Sequence, residues 1–182
     1  AHRRYEPFHE VTINQQTIAL NDSGQELSPH DPLLPLILMV PYGIAGWIGA
    51  KVMLSLVMGL CASLTLHVAG SRFVASAGQA AWVIGAFFTS APLTSYGTHI
   101  FPAGPAALTL VAAFWAVSHP SRAKRWDVLA VVAIVALPWL SVKYVPHAAV
   151  VALGLLWKHR ATRERLIPIG AAFVVAGITY LL

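Results

Sequence analysis

Charge is what this chain has least of. Lys, Arg, Asp and Glu together make up 10% of its 182 residues, against 57% hydrophobic residues and a mean hydropathy of +0.67. A water-soluble domain carries roughly 25% charged residues, so polar surface here is short. Cysteine is nearly missing too. Cys61 stands alone, which excludes an internal disulfide, and its apolar neighbours favour an inert, buried thiol. No Walker loop, dinucleotide fingerprint, HExxH, CxxC or GxSxG pattern occurs, so the chemistries those motifs carry have no foothold. A basic stripe with interleaved aromatics is also lacking, which argues against a nucleic-acid interface despite a pI near 9.7.

What is present is apolar sequence in long blocks, with charge divided unevenly between them. Residues 1–50 carry Arg3 and Arg4 against Glu6, Glu10, Asp22, Glu26 and Asp31, a net of −3. Residues 51–182 carry a net of +8, with Asp127 and Glu164 as their acids. The basic residues fall in short loops between apolar blocks, the pattern of membrane topology. The chain opens at Ala1 without Met or a recognisable signal peptide and closes at Leu182 inside an apolar run. It is therefore expected to be a piece of a longer protein, or a processed chain.

The expected fold is an all-α membrane protein. Residues 1–32 form an extracytoplasmic N-terminal segment, in which the turn signal Asn21-Asp-Ser-Gly separates two short extended stretches and predicts a small hairpin. Asp31-Pro32 opens a helix, with Asp able to cap it and Pro suited to its first position. Residues 33–50 are apolar but interrupted by Pro35, Pro41, Gly43 and Gly46, which predicts an interfacial or re-entrant helix anchored by Tyr42 and Trp47.

Residues 51–182 form a polytopic domain of about six spans: Lys51–Ala69, Phe73–Ala91, Ala103–Val117, Val128–Leu140, Val145–Trp157 and Leu166–Leu182. The fourth and fifth blocks have 13 residues each, short of the roughly 20 a helix needs to span. One long helix over 127–157 is the alternative. Two helices put the loops bearing Arg122, Lys124, Arg125 and Lys158, Arg160, Arg163, Arg165 on one side, and one helix would divide them. The positive-inside rule selects the hairpin. With Arg72, that side gathers eight of the twelve Lys and Arg residues and is assigned to the cytoplasm. The N-terminal segment, the loop 92–102 and the turn 141–145 then face outward.

Four outward features could carry chemistry. His30 and Asp31 are adjacent, a pairing suited to acid–base work or to a metal or phosphate. Alternatively, Asp31 only caps the helix and His30 faces water. The loop Pro92–Pro105, rich in Pro and Gly, offers Tyr96 and His99 as hydrogen-bonding groups, or is a plain connection. Lys143, with Tyr144 and His147, suits a phosphate, or its side chain snorkels to the interface. Arg3, Arg4, Glu6, His9 and Glu10 have no specific spacing. In the first span, Ser55, Gly59 and Ser63 make a small-residue row that reads as a packing face.

Read in order, three segments resemble a family. HDPLLPLILMVPYGIAGWIGAKVMLSLVMGL, TSYGTHIFPAGPAALTL and LPWLSVKYVPHAAV are similar to stretches of bacterial membrane glycosyltransferases with the C-type fold. That resemblance spans roughly residues 28–160 and implies transfer of a sugar from a polyprenyl-phosphate carrier to an extracytoplasmic acceptor at the plasma membrane. It implies His30 and Asp31 at the catalytic floor. Lys143, Tyr144, His147, His99 and Tyr96 would then line the site for the lipid-linked phosphate and its sugar. A divalent metal is compatible with this chemistry, yet no ligand cluster marks one.

The sequence departs from the family in two ways. The family's first helix and the acidic segment after it are missing, and Ala103 and His99 stand where Glu and Gln are usual. The alternative expectation is a non-catalytic membrane subunit that binds a lipid or other subunits of a cell-envelope complex. A transporter fits less well, since intramembrane charges are scarce.

Overall fold

Proline and glycine decide where the longest helix breaks. The computed structural model describes residues 31–73, 76–91, 93–94, 99–121 and 123–181. Helix α1 runs Leu33–Phe73 and loses helical geometry at Ala45 (φ −134°, ψ 21°) and Gly46 (φ 56°, ψ −141°). Pro41 has no N–H to donate and crowds the preceding turn. Gly46 occupies a positive φ that a side chain would resist. A Cβ on Gly49 would overlap the Pro41 carbonyl oxygen, so the chain can close on itself there only with glycine. The segments read separately as an interfacial helix and a first span are one run, broken inside the first of them.

Five further helices follow among the described residues: α2 (Ala77–Phe88), α3 (Ala103–Val117), α4 (Lys124–Leu140), α5 (Val145–Lys158) and α6 (Arg163–Leu181). Ser76 caps α2 by accepting from the Gln79 N–H (3.4 Å) and also bonds the Gln79 side chain (2.8 Å), which satisfies an otherwise orphaned donor. Pro138 lies within α4, which ends two residues later. Extended Ser141 and a 3₁₀ turn at Val142–Tyr144 lead into α5, whose first turn holds Pro146. The block 127–157 is thus a hairpin, not one long helix. No strand occurs among the described residues; the expected N-terminal hairpin lies outside them.

Helix α4 sits at the centre, in contact with α1, α3, α5 and α6. The core is built largely from small side chains. Ala50, Ala106, Ala113, Ala116, Ala130, Ala133 and Ala148 are buried, with Leu54, Leu137 and Leu155 filling the gaps between them. Alanine lets helix backbones approach closely. Other large apolar side chains point outward on every helix, including Ile44 (81% exposed) on α1 and Trp82 (82%) on α2. Phe114, Val132, Leu153 and Val174 do the same on α3 to α6.

Helix α1 is long and apolar enough to cross a bilayer. Of the six spans expected from sequence, it alone meets that criterion among the described residues. Helices α2 and α3 are apolar but have 12 and 15 residues, fewer than the roughly 20 a perpendicular span requires.

Candidate functional site

The two ends of the bundle differ in chemistry. At one end the N-terminus of α1 meets the α4–α5 turn and the last turn of α6. Asp31 Oδ2 accepts a hydrogen bond from the Val142 N–H at 3.2 Å, and Asp31 Oδ1 accepts a long one from the Tyr180 hydroxyl at 3.4 Å. Tyr180 in turn packs edge-on against Trp139, with ring centroids 5.7 Å apart. Beside Val142, the exposed Lys143 lies with Nζ 5.1 Å from the Tyr144 ring centroid, and Tyr144 contacts the His147 ring at 6.1 Å. Asp31 is thereby tied through Val142 to the turn that carries Lys143 and Tyr144, with His147 against Tyr144, although it is more than a hundred positions away in sequence.

The fifth, His99, precedes α3 at the same end of the bundle, where its ring lies 6.3 Å from that of Phe101. His30 and Tyr96 lie outside the described residues. Asp31 has a strap-like position, with its carboxylate holding three elements together. That role combines the capping and site alternatives, since an acceptor engaged by an amide can still face a ligand with its remaining lone pairs.

A groove of about 900 Å³ starts at Pro32, Leu33 and Leu36 and runs between α4 and α6, lined by Val131, Val135, Trp139, Ala172 and Val175. A smaller one of about 330 Å³ shares Val131, Val132, Pro168 and Ala172 and continues to Lys124, Asp127, Glu164 and Arg165. Together they form an apolar track along the bundle, with charged groups at the end lined by Lys124, Asp127, Glu164 and Arg165. Such a track has the chemistry to accept a hydrocarbon chain.

The other end of the bundle collects the basic residues. Asp127 is 8% exposed and His159 4%, and they pair through Oδ1 and Nε2 at 2.9 Å. Arg165 donates to the second Asp127 oxygen at 2.8 Å. Lys158 Nζ bonds the carbonyls of Val117 and His119, at 2.9 and 3.1 Å, and so covers carbonyls at the C-terminus of α3. Sequence reading missed this cluster. The signal was there in Asp127, a lone acid among basic loops, which has to be neutralised wherever it is buried. No group of three or more His, Cys, Asp or Glu able to hold a metal occurs among the described residues. In comparison with known proteins, no family, no curated protein and no solved structure matches the chain.

Proposed function

We propose that this chain is a multi-pass helical membrane protein whose Asp31–Lys143 end receives a polyprenyl-phosphate in glycosyl transfer outside the cytoplasm. Membrane crossing by the whole bundle is supported by the large apolar side chains that every helix exposes. Water would penalise that surface, since soluble monomers rarely expose contiguous apolar patches beyond a few hundred Å². The basic loops then face the cytoplasm, and the Asp31 end faces outward from the plasma membrane.

The observation that carries the site reading is the Asp31–Val142 hydrogen bond. It joins two of the three segments that resemble the glycosyltransferases. In this reading the prenyl chain lies in the groove from Pro32 to Val131 and the phosphate meets Lys143. The ammonium stabilises the charge that develops on the departing phosphate, and Asp31 orients the acceptor hydroxyl. Any divalent metal would be carried there by the lipid phosphate, in keeping with its oxygen preference.

A specific observation favours a second reading, a lipid-binding subunit without catalysis of its own. Asp31 is the one acid at that end among the described residues, and both of its oxygens are engaged. The two readings share the lipid and differ in the transfer step. Binding of polyprenyl-phosphate to the protein in nanodiscs tests what they share, and the Lys143→Ala variant is predicted to bind at least tenfold more weakly, a loss of about 1.4 kcal/mol. Binding indifferent to Lys143 rejects the site. Binding without sugar transfer from a polyprenyl-phosphate sugar selects the subunit.

A further inference from the structure

The smaller groove between α4 and α6 has an apolar wall and four charged residues at one end. Val128, Val132, Ile169 and Ala172 line it together with Lys124, Asp127, Glu164 and Arg165. Asp127 is buried and engaged, one oxygen with His159 and the other with Arg165. Arg165 uses Nη1 for that contact and its side chain is 27% exposed, so the rest of its guanidinium fork can still donate. Lys124 and Glu164 are exposed, and neither side chain has a hydrogen-bond or ion-pair partner among the described residues.

An apolar groove that ends in unengaged charges of both signs selects its occupant. An anionic phospholipid answers Lys124 and Arg165 but leaves Glu164 facing a second negative charge. The four residues are two cations and two acids, so their formal charges cancel. That balance matches a head group of zero net charge, with a phosphate and an amine held apart. Pro168 narrows the choice further. It lines the same groove and, having no N–H, returns no hydrogen bond to the carbonyl of Glu164, four residues back on the same helix face. Glu164 therefore offers a carboxylate and a main-chain carbonyl to an incoming donor. A primary ammonium has three N–H groups to give, and a trimethylated one has none.

We propose that this groove binds a phosphatidylethanolamine of the cytoplasmic leaflet, its acyl chain along Val128, Val132 and Ala172, its phosphate at Lys124 and Arg165, and its amine at Glu164. The volume of about 330 Å³ is within the range of ligand clefts. The proposal rests on the membrane crossing inferred above and is independent of glycosyl transfer and of Lys143.

The test uses a phosphatidylethanolamine with a diazirine in one acyl chain, photolysed with the detergent-solubilised protein, and maps the labelled residues by mass spectrometry. Labels are expected at Val128, Val132, Ile169 or Ala172. Unlabelled phosphatidylethanolamine should compete about fivefold better than phosphatidylcholine or phosphatidylglycerol, the upper end for one ion pair at a surface. Glu164→Gln removes that preference and keeps the labelling. Lys124→Gln weakens competition by phosphatidylethanolamine and phosphatidylcholine alike. Arg163→Gln, the neighbouring position on α6 but outside the groove, changes neither. Labels scattered over the exposed faces of all the helices overturn the site. So do equal competition by the three lipids, stronger competition by phosphatidylglycerol, and a preference that survives Glu164→Gln. Recovery of the chain in the soluble fraction, read before any lipid is added, overturns the membrane crossing and the lipid site with it.

Discussion

A single carboxylate at each end of the bundle organises its surroundings, and the two do so under different conditions. Asp127 is buried, and its oxygens are satisfied by His159 and Arg165 from α5 and the start of α6. Removing one partner of a buried ionic cluster is costly because the others lose their counter-charge. Asp127→Ala is therefore expected to destabilise the protein by about 3 kcal/mol, read as a lowered unfolding temperature in detergent. His119 makes a second prediction. Its pKa lies below the ordinary value of 6.5 because burial, and then the charges of Arg72, Lys158 and Arg125, oppose its protonation. A depressed histidine pKa means that the unfolded state binds more protons, so stability is full above pH 6.5 and declines as pH falls toward the folded pKa. His119→Asn keeps an acceptor for the Ser121 N–H and removes the titration. The wild type should lose more thermal stability than this variant between about pH 7 and pH 5.5.

At the scale of elements, backbone chemistry decides the break in α1. Gly49→Ala places a methyl group against the Pro41 carbonyl, and nothing flexible can yield there. A loss of about 1–3 kcal/mol is expected, as for overpacking of a tight contact. Gly59→Ala, at a glycine with open space around it, should be neutral or slightly stabilising by helix propensity. Most of the helices were legible in the sequence, because apolar runs and turn residues are local signals. The bounds expected for Ala103–Val117 coincide with α3, and those of α4 and α5 differ only by a few residues at the basic end. The continuity of α1 across Pro41 was not legible, since it depends on a glycine at positive φ several residues downstream. The contact of Asp31 with Val142 was not legible, because hydrophobic periodicity does not report contacts between distant segments; the distribution of Lys and Arg placed the two segments only on the same face. Tyr180 gave no signal at all: nothing in an apolar terminal helix distinguishes a tyrosine that reaches a carboxylate from one that faces lipid. The Trp115–Trp126–His119 stack was equally silent, being assembled from two helices and the loop between them.

At the scale of the whole molecule, the proposed crossing of the membrane by the bundle α1–α6 would separate two chemically distinct ends. One end is organised by Asp31 and the exposed Lys143, and the other by the basic cluster around Asp127 and His119. The apolar track between α4 and α6 joins them along the bundle. Under that proposal the short helices are accommodated by a thinned or locally deformed bilayer, at modest cost. The most direct measurement uses a Cys61→Ala background with a single cysteine placed either at Val142, 62% exposed in the α4–α5 turn, or at Ala161, exposed between α5 and α6. Each is challenged with a membrane-impermeant maleimide, in intact cells and in inside-out vesicles. The account predicts that Val142→Cys is labelled only from outside the cell and Ala161→Cys only from the cytoplasmic side. Labelling of both positions from the same side, or recovery of the chain in the soluble fraction, would contradict it.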